Sequence, residues 1–412
     1  DCFYHMRRVM IAIHNGLSIP EFDPYMNHPQ GFHCNWPPLF DQLIAAVAML
    51  TGFGDPSDRW VEIVAAVLPP LFGAAACVLL FFLARHFMSS VYAFAAAAVL
   101  CFLPFYIQLS VLGRPDHHVA VVLSAVLLLW SGATLFGSDA GHPFLRATLT
   151  GFLLAVSLAL WVGSLLFVAV LAAWIGIIIL LRRRDRAGLE RLLLQSSCLF
   201  LSASFFLWPA AMQTHWGRTG ALRWDALSSV QPLLLVCGAA VLYAIRAAPI
   251  LTSECSRSGP RALVRAPNLI ILLLAATAAG VAIYVVGFQL FETLSGAPKW
   301  LLKQNRMLQH VTETLPLSIA SATSNFTLLV FVFPILLIHL VYQEWRAKRI
   351  EGAVLIAAWT VVTGACTLNE ERFADLFSIS AAILVAHAAS LAERPLLAIA
   401  AALNARILPD RA

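Results

Sequence analysis

Residues 61–84 read VEIVAAVLPPLFGAAACVLLFFLA. A helix that crosses a bilayer needs ~20 mostly apolar residues, and this stretch is long enough. Working outward, comparable runs occupy 91–110, 118–137, 147–162, 164–181, 192–211, 228–248, 267–289, 324–343, 352–368 and 373–391, with a shorter one at 395–405. The whole chain agrees with them. Of its 412 residues, 60% are hydrophobic and 12% charged, and the mean hydropathy is +0.81. A soluble domain averages about 25% charged residues. Half that amount cannot cover a water-facing surface. A soluble globular protein, a disordered chain and a small disulfide scaffold are therefore excluded. The predicted fold class is all-α: a polytopic integral membrane protein of about 11–12 transmembrane helices.

The loops between the runs alternate in character. One set is short and basic, carrying Arg85, Arg146, the group Arg182, Arg183, Arg184, Arg186 and Arg191, then Arg246 to Arg265, and later Arg346, Lys348 and Arg349. The positive-inside rule makes this set cytoplasmic. The other set, 1–60, 111–117, 212–227, 290–323 and 369–372, is mixed in charge and rich in aromatics, and is expected outside. The apolar stretch 38–53 is too short to span and reads as an interfacial or re-entrant helix behind Pro37-Pro38. The expected organisation is a first external loop with that helix (1–60), transmembrane helices carrying a polar motif at 113–118 (61–289), an external loop (290–323) and C-terminal transmembrane helices (324–412). The net charge is a modest +5 with no basic stripe, so nucleic acid is not an expected partner. Cys2 and Cys34 share one polar segment and would pair only if that side is oxidising.

The polar residues of the outer set are concentrated in four places. Segment 1–41 carries Asp1, His5, Arg7, Arg8, Asp23, His28, His33 and Asp41 among aromatics. Gly113-Arg114-Pro115-Asp116-His117-His118 stands directly before an apolar run. An Asp and two His there are costly near lipid unless they pair or bind something. In an extended turn Asp116 and His118 would share a face while His117 points away, giving half of a divalent-metal site. The other reading is an N-cap Asp beside two interfacial His. Loop 290–323 brings Lys299, Lys303, Arg306 and Glu313, either as a site for a phosphate-bearing substrate or as a solvated helix face. Arg372 opens a late run, where it either snorkels to headgroups or meets an anionic substrate. An outward-facing site rich in carboxylate and imidazole suits a metal-dependent enzyme acting on a lipid-carried substrate. It equally suits a transporter vestibule.

Taken in order, these segments resemble the catalytic subunit of oligosaccharyltransferases, especially the archaeal and bacterial single-subunit forms. DCFYHMRR (1–8) resembles the family's first acidic motif, and DPYMNHPQGFHCNWPPLFDQ (23–42) the external loop that follows it. LGRPDHHVA (112–120) resembles the second acidic motif in its archaeal Asp-His-His form. His310-Val311-Thr312-Glu313 stands where the family has Thr-Ile-x-Glu, and Arg372-Phe373 matches a late Arg-Phe pair.

The resemblance implies a GT-C bundle and transfer of an oligosaccharide from a polyprenyl (pyro)phosphate carrier to Asn of an acceptor protein. It implies that Asp1, Asp116 and His118 hold Mn²⁺ or Mg²⁺, that Glu313 touches the metal and the acceptor amide, and that Arg372 faces the donor phosphate. Asp1 and Glu313 would be the catalytic carboxylates, and 290–323 the catalytic loop. It further implies the outer face of the cytoplasmic membrane as the working surface. Against the family's pattern, the chain is expected to lack the first helix and the soluble C-terminal domain with its Trp-Trp-Asp motif. Rival expectations keep the donor chemistry with another acceptor, such as a lipid, a polysaccharide or a protein hydroxyl, or make the chain a non-catalytic transporter of lipid-linked glycan. A topology reporter fused at Asp185 is expected to read as cytoplasmic, and an external reading overturns the whole alternation.

Overall fold

The computed structural model describes residues 2–136, 141–182, 185–247 and 315–407. The chain opens with α1 (Cys2–His14), a two-residue antiparallel ribbon of β1 (Phe22–Asp23) and β2 (Phe32–His33), and α2 (Leu39–Thr51). Phe22 pairs with His33 in the ribbon, and Asp23 with Phe32. Then come α3 (Asp58–Ala84), α4 (Ser90–Phe102), α5 (Pro104–Leu109), α6 (His118–Ala133), α7 (Pro143–Leu160), α8 (Leu165–Leu181), α9 (Arg186–Met212), the single turn α10 (His215–Arg218) and α11 (Val230–Ala247). The last described part holds α12 (Ile319–Phe326), α13 (Phe333–Arg346), α14 (Ile350–Asn369) and α15 (Ala374–Ile407).

Among the described residues, seven helices are long and apolar enough to cross a membrane. They are α3, α7, α8, α9, α13 and α14 with their adjoining turns, and the first part of α15. Four shorter apolar helices, α2, α4, α6 and α11, accompany them among the described residues. Residues 267–289 lie outside the described residues.

Boundaries depart from the apolar runs where local chemistry intervenes. The run 91–110 is divided between α4 and α5 at Leu103, whose ψ of 122° is extended. The cause is Pro104, since a residue before proline is pushed out of the helical region. Pro104 then starts α5 and Pro143 starts α7, positions where a missing N–H costs nothing. Ser57 accepts a hydrogen bond from the Trp60 N–H to cap α3, and Asp185 does the same for α9 through Gly188. The stretch 38–53 forms α2 behind Pro38 and buries Phe40, Asp41, Ile44, Ala45 and Ala48. Cys2 and Cys34 are free thiols.

Packing follows membrane rules more than soluble ones. Helix α9 lies between α7 and α11, and α3 lies against α4 and α6. Gly151 on α7 sits so close to α9 that an added Cβ would come 2.3 Å from the Leu199 carbonyl oxygen. Lipid tails are as apolar as side chains, so close backbone approach at small residues carries much of the association. Two buried tryptophans use their one polar group across helices. The Trp174 indole N–H donates to the Glu351 carbonyl at 2.8 Å, and that of Trp359 to the Leu376 carbonyl at 3.2 Å. An Arg182–Glu351 ion pair joins one end of α8 to the start of α14. The opposite ends of these two helices, near Trp161 and Glu370, border the site described next. Gly151→Leu is expected to lower stability by about 1–3 kcal/mol through overpacking, seen as a lower unfolding midpoint in detergent. An unchanged midpoint would refute the close contact.

Candidate functional site

Helix α1 buries His5, Arg8, Val9 and Ala12, the spacing of one helical face. That face lies on α2, which supplies Asp41. The Asp41 carboxylate, wholly buried, is hydrogen-bonded with His5 Nδ1 at 2.6 Å and ion-paired with Arg8, whose Nε lies 3.1 Å away. Arg8 also donates to the Trp36 carbonyl at 3.2 Å. With Nδ1 turned to Asp41, His5 directs Nε2 to His117 Nδ1, 3.2 Å away. His117 Nδ1 is in turn 3.2 Å from Asp116 Oδ1. One donor atom each of His5, Asp116 and His117 lies within 4.8 Å of the others, and all three residues are buried.

The electrostatics suit cation binding. Burial alone would raise Asp116, but contact with His117 and the neighbouring His118 and His5 hold its carboxyl well below the usual range. Burial pushes His117 down from 6.5 to about 4, assisted by His118 and opposed by Asp116. Near neutral pH the cluster thus combines an ionised carboxylate with an uncharged imidazole at His117. An imidazole–carboxylate set of this kind could hold a divalent metal ion.

Of the residues singled out in the sequence, Asp116 stands in this cluster. His118 turns elsewhere: its Nδ1 lies 2.9 Å from Asp375 Oδ2, at the first turn of α15. The turn is not extended, and His117 does not point away as an extended turn would make it. His117 has φ −68° and ψ −20°, the helical region, and is the residue on which α6 starts. Alternation along a strand therefore does not govern which of the two imidazoles joins Asp116. His118 stays close, its backbone N–H 3.4 Å from Asp116 Oδ1 and its ring 4.6 Å from that of His117. Arg372 lies 2.7 Å from the buried Glu370 carboxylate. Asp1 and Glu313, with Lys299, Lys303, Arg306 and His310, lie outside the described residues.

Beside the cluster is a cavity of about 390 Å³ lined by Trp36, Trp161, Trp224, Asp225, Arg372 and Phe373 among others. The His5 ring stacks on Trp36 with centroids 5.8 Å apart, and the His118 ring is 6.2 Å from Trp161. An apolar, aromatic hollow with one guanidinium and one carboxylate, opening next to a buried cation site, fits a ligand that is partly apolar and partly anionic. Sequence reasoning missed His5 and His117 as convergent donors, Asp41 as the partner of His5 and Asp375 as the partner of His118. For Asp375 a signal existed: an acid inside an apolar run needs a partner.

Fold and site together define a polytopic membrane protein with a His/carboxylate centre and an adjoining aromatic cavity at one end of its bundle. The chain belongs to the oligosaccharyl transferase STT3 family, whose N-terminal model matches residues 1–408. It is 32% identical over 227 residues to dolichyl-phosphooligosaccharide-protein glycotransferase 1 of Archaeoglobus fulgidus, a match that covers 54% of this chain and 34% of that relative. Among solved structures it is similar to the archaeal oligosaccharyltransferase AglB of the same organism in complex with an inhibitory peptide and a dolichol-phosphate. There the TM-score is 0.79 at 18% identity, over 98% of this chain and 48% of that one. A complex of the Archaeoglobus fulgidus oligosaccharyltransferase with zinc and sulfate superposes with TM-score 0.69, also at 18% identity, over 98% of this chain and 47% of that one. At that identity the structures show the fold. The chain spans about a third of the curated relative's length and about half of the solved chains.

Asp41→Ala leaves Arg8 buried without its carboxylate and His5 without its Nδ1 acceptor, and is expected to cost about 3–5 kcal/mol. Thermal unfolding checks this. Asp41→Leu combined with Arg8→Met should recover part of the loss, and an equally unstable double variant would contradict the pairing.

Proposed function

We propose that the chain is the membrane-embedded catalytic part of an oligosaccharyltransferase. It would transfer an oligosaccharide from a polyprenyl-phosphate or -pyrophosphate carrier in the lipid bilayer to Asn of an acceptor protein. The observation that carries this reading is the buried convergence of Asp116 with His5 and His117 beside the Arg372 cavity, in a chain of this family. A solved relative of the same fold holds dolichol-phosphate and a peptide, and another holds zinc and sulfate. These support a lipid phosphate donor, a peptide acceptor and a divalent cation here.

The proposed ligands are Asp1, Asp116, His118 and Glu313, as the motifs imply, with His5 and His117 as the further donors that converge on Asp116. Mn²⁺ is preferred over Mg²⁺ because imidazole enters the set. Bound there, the cation supplies positive charge that offsets the carboxylates and stabilises the phosphate leaving group. The remaining work falls to the chain. An amide nitrogen is a poor nucleophile, because its lone pair is shared with the carbonyl. Asp1 and Glu313 would accept its two protons in hydrogen bonds, orient it and weaken that sharing. Arg372 would bind the leaving phosphate through charge-assisted hydrogen bonds. The cavity tryptophans would exclude water from the reacting carbon, which strengthens each of these contacts.

The site end of the bundle is opposite the Arg182–Glu351 end, and among the described residues Arg146 at the start of α7, Arg246 beside Glu190 and Arg349 before α14 belong to the latter. The positive-inside rule then supports an active site on the outer face of the cytoplasmic membrane.

The test is transfer to an Asn-x-Thr peptide by the full-length protein in lipid. Glu313→Gln and Asp116→Ala are each expected to abolish transfer without loss of fold. Chelation should stop the wild type, and Mn²⁺ should restore it better than Mg²⁺. Wild-type turnover in Glu313→Gln, or equal transfer to a peptide with Gln in place of Asn, would overturn the reading.

A further inference from the structure

We propose that Asp375 is a positioning residue that fixes the imidazole of His118 for the metal centre, and so ties that centre to the Arg372 wall of the cavity. The inference rests on the metal reading above.

The two residues are 257 positions apart, yet His118 Nδ1 and Asp375 Oδ2 lie 2.9 Å apart. The Asp375 side chain is 3% exposed. An Asp in the first turn of a helix ordinarily faces solvent, where it favours the helix dipole. Buried, it costs free energy unless its oxygens are bonded. Both are: Oδ1 accepts the Leu376 N–H at 2.6 Å, and Oδ2 faces the imidazole. The first bond fixes the rotation of the carboxylate. The second selects the His118 tautomer with the proton on Nδ1, which leaves the lone pair on Nε2, at the far edge of the ring. Metal-binding imidazoles are oriented in this way, by a carboxylate on the other nitrogen.

The His118 ring stands next to the His5–Asp116–His117 group without being one of its three converging donors: its backbone N–H is 3.4 Å from Asp116 Oδ1 and its ring 4.6 Å from that of His117. Asp41 does for His5 what Asp375 does for His118. Two imidazoles are therefore each backed by a buried carboxylate, from α2 and from α15. Asp375 differs from Asp41 in what precedes it. The segment Glu370–Asp375 carries Arg372 and Phe373, both lining the cavity. Phe373 is 6.0 Å from Trp161, and Trp161 is 6.2 Å from His118. One short segment thus presents the guanidinium for a phosphate and the carboxylate for a metal ligand.

The experiment measures Mn²⁺ binding, without turnover, by electron paramagnetic resonance of free Mn²⁺ over the full-length protein in nanodiscs. Asp375→Asn is expected to weaken binding about ten- to a hundredfold, with the unfolding midpoint recorded alongside. Asp375→Ser keeps an acceptor for the Leu376 N–H but removes the carboxylate, so it should show the same loss. In a His118→Gln background neither change should weaken binding further. Wild-type affinity in Asp375→Ser would reduce Asp375 to a helix-terminal residue and overturn the inference. A full additional loss in the His118→Gln background would overturn it as well, because Asp375 would then act elsewhere. No Mn²⁺ binding by the wild type would overturn the metal reading together with this inference, whereas intact wild-type binding with unaffected Asp375 variants overturns the inference alone.

Discussion

Asp41 is wholly buried and faces both Arg8 and His5. The arrangement at the site depends on that contact. A carboxylate and a guanidinium taken from water each lose several kcal/mol of solvation, and recover it only in close mutual contact. Helix α2, with 13 residues, is too short to cross the membrane, so spanning does not hold it in place. The buried charges, with the apolar residues around them, lock α1 and α2 into one position on α3. From that position His5 reaches His117.

The site is assembled from pieces that each satisfy a local need. Arg8 is held by Asp41 and the Trp36 carbonyl, and Trp36 in turn stacks on His5 and lines the cavity. The aromatic walls and the ionic centre therefore share residues. A ligand in the cavity would be shielded from water by the same rings that orient the imidazoles. In such surroundings charge–charge contacts are far stronger than at a surface, which suits the proposed binding of an anionic leaving group beside a cation.

Much of this was legible in the chain. Apolar length alone marks α3, α7, α8, α9 and α14, because lipid imposes a length that soluble folds do not. Pro104 announces the division of the run 91–110, and Pro37-Pro38 the start of α2. Asp116 and Arg372 stand out because a charge beside an apolar run has few reasons to be there. What periodicity does not encode is who meets whom across the bundle. The spacing of α1 identifies its inward face but not Asp41 as what that face meets. That His117 converges on Asp116 follows from one backbone conformation, helical rather than extended, that residue types do not decide. Asp375 lies inside the apolar run 373–391, and nothing in that run names His118 as its partner across the bundle.

The sequence distances within the site also impose an order of assembly. His5 and Asp41 are 36 residues apart, so their bond is available soon after both have left the ribosome. His118 must wait for Asp375, 257 residues later. Synthesis runs from the N-terminus, and for most of it the turn at Asp116 stands beside one completed carboxylate–imidazole pair and one imidazole still lacking its partner. Insertion of the start of α15 supplies that partner and the Arg372 wall in a single event. Completion of the site is thereby coupled to the arrival of a late helix, and a nascent bundle stalled before it would lack both the Asp375 contact and the Arg372 wall of the cavity.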